Sequence, residues 1–277
     1  MSTSQASPQW KRLIDAVMAV PERIYEAWEP VVGWNNETPF GEQYGWDGVP
    51  WCVIYGWDMY ANVGLEAIVP KTASVSAFTA WARVHGCWSQ YPSVGAWVNI
   101  DNGAHTETVV GFDATYVYTK GGNSIQAGAA DAGQGNGVWS HRTERRSSRV
   151  TGYLAPVFPD GICPPTADPA DPRGGKPAAA YRWAPAVAAI MPPFPGRGQF
   201  LLGATSDHAL LLQTWLQRGN WGPAYRVGPS RTMTALDLAK VKALQQHYLS
   251  ALGPADGLTG PKTWQYAYEV ASGLRKK

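Results

Sequence analysis

Residues 41–62 read GEQYGWDGVPWCVIYGWDMYAN. A loop rich in Gly and Asp closes at Pro50-Trp51. A stretch with helical spacing then opens at Cys52, where Val53, Ile54, Trp57 and Tyr60 recur as one buried side would. A cysteine in that position has four readings: inert apolar residue, half of a disulfide, metal ligand or nucleophile. A helix N-terminus favours the thiolate, the form that attacks carbonyls. Position alone does not decide, because free cysteines are often simply buried.

The cysteine inventory narrows the choice. The chain has three, Cys52, Cys87 and Cys163. An odd, sparse set is no disulfide framework, and no CxxC is present for zinc. The 277 residues suggest one large or two modest domains, and a hydrophobic fraction of 45% excludes general disorder. Net charge is +2. The one basic run, HRTERRSSRV (141–150), reads as solvated surface, so nucleic acid is not an expected partner. A mild positive balance suits work near an anionic polymer such as a cell wall. Fourteen tryptophans and thirteen tyrosines are many. Aromatic planes suit sugar-containing ligands, although most serve cores. Residues 1–28 hold no unbroken apolar core of signal-peptide length, because Lys11, Arg12 and Asp15 interrupt it. No apolar run approaches the ~18 residues of a membrane span. The expectation is a chain made without an export signal, folding in a reducing compartment, with no membrane insertion.

Working outward, residues 8–29 read as helical with a break at Pro21, and 33–50 as loop. Residues 75–86 read as a helix ending at Gly86. The period then changes. Residues 94–100, 105–113, 115–121 and 149–156 are β-rich, with a hairpin around Asp113-Ala114. Helices followed by antiparallel strands predict an α+β domain. Residues 156–195 carry 11 of the 22 prolines and read as a semi-rigid linker, in which Trp183 and AVAAIM (186–191) are expected to dock on a domain. Helical stretches resume at 206–219, 237–253 and 261–273.

A thiol nucleophile needs a base. His208 and His247 fall on helices of the C-terminal region, and His141 lies in the basic run. His85 ends a helix next to Gly86, where a cation is favoured. His105 differs. It starts an apolar strand just after the turn DNGA (101–104), where a sheet edge can hold a base firmly. Asn123, in the turn TKGGNS (119–124), is a candidate for orienting the imidazole; its other reading is a turn residue after two glycines.

Three separated motifs occur in order: GWNNETPFGEQYGWDGVPWC (33–52), AHTETVVGFD (104–113) and GGNS (121–124). Through them, residues 8–157 resemble the CHAP family of papain-like cysteine amidohydrolases and peptidases, most closely the versions in actinobacteria and their phages. The resemblance implies a papain-like fold with Cys52 as nucleophile, His105 as base and Asn123 as orienting group. It implies no cofactor. The family's turn commonly carries a glutamate two residues before the Asn, where this chain has Gly121. Glu107 is a substitute candidate, since residues two apart on a strand face the same way. His105-Thr-Glu107 also resembles the H-x-E of zinc deaminases, but no P-C-x-x-C follows, and a calcium site would need six to eight oxygens. No metal is expected. Trp46 or Trp51 is expected to line the substrate groove, and Trp57 to be core.

The region from PFPGRGQF (193–200) to DGLTGPKTW (256–264) resembles a three-helix peptidoglycan-binding domain. Asp256 and Gly257 are expected to make a turn, Gly260 to support a helix start, and Thr263-Trp264 to pack the last helix. Trp221, Tyr225 and Arg231 are candidate glycan contacts. The expected organisation is a catalytic domain (1–157), a Pro-rich linker (158–192) and a small all-α binding domain (193–277), working as a monomer on bacterial peptidoglycan. Together the resemblances imply a phage endolysin, held in the host cytoplasm until release, that cleaves either the muramoyl–L-alanine amide or a peptide bond. A virion-associated lysin and a non-catalytic wall-binding protein with a decayed hydrolase fold stay open beside it.

Overall fold

The computed structural model describes residues 7–129, 134–184 and 191–277. The chain divides into two compact units, Ser7–Trp183 and Ala184–Lys277. In the first, α1 (Gln9–Ala19) follows Pro8 and buries Leu13, Ile14, Ala16 and Val17. The expected helix over 8–29 stops here. Val20 precedes Pro21 and is extended, as a pre-proline residue is pushed to be. The following residues form three short strands instead: β1 (Arg23–Ile24), β2 (Trp28–Glu29) and β3 (Gly33–Trp34). The Thr38 side chain caps α2 (Pro39–Tyr44) by accepting from the Gly41 N–H. Next comes α3 (Cys52–Asn62), buried on nearly all sides, and then α4 (Val75–Val84), capped by Ser74.

The sheet gathers β4 (Trp88–Ser89), β5 (Trp97–Ile100), β6 (His105–Phe112), β7 (Tyr116–Ser124), β8 (Gly137–Glu144), β9 (Val150–Leu154) and β10 (Tyr181–Arg182). Their order is β1-β8-β7-β6-β5-β9-β4, with β10 beside β6, and each of these pairings is antiparallel. The α+β expectation is met at this level. Asp113 turns β6 into β7, its Oδ1 accepting from the N–H groups of Thr115 and Tyr116. Helix α3 lies across β7 and β6, which places its N-terminus over one face of the sheet's centre.

The linker expected over 158–192 is corrected for most of its length. Phe158 and Thr166 are buried, β10 pairs with β6, and Trp183 Nε1 donates to Asp15 at 3.0 Å. Prolines prevent a regular ladder here but not a close-fitting strap. Arg173 secures it. Its guanidinium makes paired bonds to Asp171 at 2.9 and 2.7 Å and reaches the Pro156 carbonyl at 3.1 Å and Ser93 Oγ at 2.8 Å. Both charged side chains are buried. Removing one partner of such a pair strands the other charge. Arg173→Ala is therefore expected to lower the stability of this unit by about 3–5 kcal/mol, read as a shift in its denaturant midpoint. Residues 185–190, most of the expected AVAAIM docking segment, lie outside the described residues.

The second unit contains α5 (Asp207–Arg218), α6 (Ala235–His247), the short α7 (Leu249–Leu252) and α8 (Pro261–Ala271). Ser206 caps α5, and Thr234 and Asp237 form a capping box on α6. Trp264 sits in the core against Phe200 and Trp215. The turn before α8 forms as expected. Asp256 Oδ1 accepts from the Leu258 N–H, and Gly257, at φ 81°, donates to Gln245. Among the described residues, no helix is long and apolar enough to cross a membrane.

Candidate active site

Cys52 is the first residue of α3, 7% exposed, with its sulfur free of any disulfide. Its N–H belongs to the first turn, which has no acceptor within the helix. His105 is the first residue of β6. The His105 ring is hydrogen-bonded to Glu107, and the Cys52 side chain lies close enough to favour its charged form. Nε2 faces Glu107 Oε1 at 3.2 Å, so the ring nitrogen left for the thiol is Nδ1. Burial opposes a charge on His105 most strongly. The interactions with Cys52 and Glu107 outweigh it and raise the imidazole pKa well above its ordinary value.

Glu107 is the hub of the cluster. Its side chain is 3% exposed. Oε1 accepts from His105 and from His141 Nδ1 at 2.7 Å, while Oε2 accepts from the Thr119 hydroxyl. Burial raises the carboxyl pKa, but the two histidine bonds and charges win and hold it well below the usual carboxylate range. The sheet dictates this placement. His105 and Glu107 share a face of β6, and on the adjoining strands Thr119 of β7 pairs with His141 of β8. Gly121 completes the arrangement. A Cβ there would lie 2.5 Å from Glu107 Cγ. The stem of Glu107 occupies the space that a side chain at position 121 would need, so a glycine there and Glu107 on β6 go together sterically.

Asn123 does not orient His105. It sits at φ 51° beside an irregularity in β7, bonded to Asn36 at 3.2 Å. With its amide oriented to satisfy both ends, its oxygen accepts from the Trp51 N–H at 2.8 Å and its nitrogen donates to the Gly135 carbonyl at 3.3 Å. Its work is to fix the residue before Cys52. Comparison with family models, curated proteins and solved structures returns no match to this chain. The site therefore stands on its own geometry.

The expected groove residues fare unevenly. Trp51 is fully buried, stacked on Phe40 with its Nε1 donating to Glu26 at 2.7 Å, so it cannot touch a ligand. Trp46 is 56% exposed. An aromatic pair is not legible in the sequence, where 8–29 reads as helix and 33–50 as loop. Trp28 and Trp34 meet edge to face on the β2–β3 hairpin, with Trp28 59% exposed. The hairpin is tied to the site through Glu26 and Asn36, which contact Trp51 and Asn123. Nor is His141 legible in the sequence as a site residue, because it opens a basic run. Yet β8 turns its ring inward, between Glu107 and the Ile125 carbonyl; Arg142 and Glu144 alternate with it along the strand.

In the second unit, Trp221 and Tyr225 are corrected as glycan contacts. Both are buried; Tyr225 donates to Asp237 at 2.6 Å, and the Trp221 carbonyl accepts from the buried Lys240 at 2.7 Å. Arg231 is partly exposed, in an ion pair with Asp207 at 3.0 Å. Among the described residues, no group of three His, Cys, Asp or Glu is arranged to hold a metal ion. At Glu107 the donors already occupy both carboxylate oxygens.

Proposed function

We propose that the first unit is a cysteine-dependent amidohydrolase of papain-like, CHAP type, cleaving an amide bond in the peptide part of bacterial peptidoglycan. One observation carries it: Cys52 at a helix N-terminus lies beside His105, close enough to stabilise its charge, and His105 is hydrogen-bonded to a buried, ionised Glu107. That is a nucleophile, a base and an orienting group in series, the arrangement acyl transfer requires. The Cys52 thiolate attacks the amide carbonyl, and the N–H of Cys52 helps to hold the developing oxyanion. His105 passes its proton to the departing amine, then takes one from the water that hydrolyses the thioester. Glu107 keeps the ring in place throughout and balances its charge.

The substrate class follows from the motif resemblance, and the Trp28–Trp34 surface offers flat apolar area suited to a sugar-containing polymer. In this reading the second unit is a three-helix wall-binding module, which would raise the local substrate concentration of the tethered hydrolase. The full chain incubated with purified peptidoglycan of several wall chemotypes is expected to release products identifiable by mass spectrometry. Free muramoyl ends with intact stem peptides would identify an amidase, and new amino termini inside the peptides an endopeptidase. Absence of products on every chemotype would overturn the proposal.

A further inference from the structure

Both nitrogens of His141 face acceptors. Nε2 lies 2.7 Å from the Ile125 carbonyl, which can only accept, and Nδ1 lies 2.7 Å from Glu107 Oε1. Glu107 already accepts from Thr119 and His105. A neutral imidazole has one N–H and cannot make both bonds. The ring is therefore an imidazolium, bridging the hub carboxylate on β6 to the residue that follows β7.

We infer that His141 is a positioning residue for the Cys52–His105 pair, acting through Glu107: the doubly protonated ring pins the carboxylate against His105 and shares its negative charge. This rests on that pair being the reactive centre, as proposed above. The geometry gives His141 two effects. It holds Glu107 Oε1 from the side opposite His105, so the carboxylate cannot swing away. It also places a second cation on one anion, which weakens the grip of Glu107 on the His105 proton. The hydrogen bond that His141 donates to Glu107 raises the pKa of His141 above its ordinary value, against the opposing effect of burial. The titratable groups around the cluster are Cys52 and Tyr55 from α3 and His105 and Glu107 from β6. Asp101 before β6 and Arg149 before β9 act from further away.

The experiment uses the full chain and needs no wall substrate. Long-range proton–nitrogen spectra of histidine-labelled wild type at pH 7 are expected to show both His141 ring nitrogens protonated. In His141→Gln, the His105 titration is expected to move to higher pH, because Glu107 then serves one cation. Peptide-resolved alkylation of Cys52 by iodoacetamide is expected to slow by about tenfold in His141→Gln, and by less than about twofold when the same change is made in Glu107→Gln. A neutral His141 in the wild type would overturn the inference even if His141→Gln did not fold. So would an unmoved His105 titration, or equal losses in the two backgrounds. Because alkylation and spectra are read without peptidoglycan, a failed wall digest would sink the proposed substrate and leave this inference standing or falling by itself.

Discussion

Cys52→Ala is expected to bring peptidoglycan hydrolysis down to the assay background, a loss of at least about 10³-fold, since in the proposed mechanism Cys52 forms the acyl intermediate. The fold should survive. The substitution removes one buried sulfur and costs about 1 kcal/mol, in the ordinary range for a small change. Wall sedimentation of the variant should match wild type, because the second unit is untouched. Thiol chemistry provides an independent reading. Burial pushes the thiols of Cys87 and Cys163 above their ordinary pKa, and the proposed mechanism pairs Cys52 with His105. Iodoacetamide at pH 7 is therefore expected to label Cys52 first, despite its burial. Labelling of Cys87 or Cys163 ahead of Cys52 would show that no activated pair exists.

Glu107→Gln is expected to lower kcat/KM by about 10²–10⁴-fold, the scale of losing the group that fixes a catalytic imidazole. The change keeps the size of the side chain but removes the charge that two histidines share. Both histidines would then titrate lower, and the alkaline limit of activity would move down in pH. Asn123→Ala should leave that limit in place, because Asn123 bonds to Trp51 and not to the imidazole. The same charges give stability a pH window. Glu107 is depressed from 4.5, so its contribution is present above that value and is lost as pH falls through the folded pKa. His105 and His141 are raised from 6.5, so theirs is complete below 6.5 and is lost as pH rises through their folded values. The cluster stabilises the unit most between about pH 4.5 and 6.5. Glu107→Gln is expected to flatten that dependence in thermal melts taken from pH 4 to 9.

By itself, the sequence determined the local elements near the site. Helical spacing after Pro50-Trp51 put Cys52 at the start of α3, and β-rich alternation put His105 at the start of β6 with Glu107 on its face. These are short-range signals, written by periodicity and turn chemistry within a dozen residues. Which residues meet His105 was a question of sheet order, and no local pattern encodes it. Only the pairing of β6, β7 and β8 decides that Gly121 makes room for Glu107, that Asn123 is spent on Trp51, and that a histidine in a basic run turns inward. The same holds for the proline-rich segment. Its composition correctly forbids a regular ladder, yet Arg173 and Asp171 bind it to Ser93, a residue far back in the chain. In the second unit, Trp221 and Tyr225 look like sugar-binding aromatics in sequence, and packing around Asp237 and Lys240 makes them core. Burial is a property of the assembled fold, and an aromatic side chain has the same composition on either side of the surface.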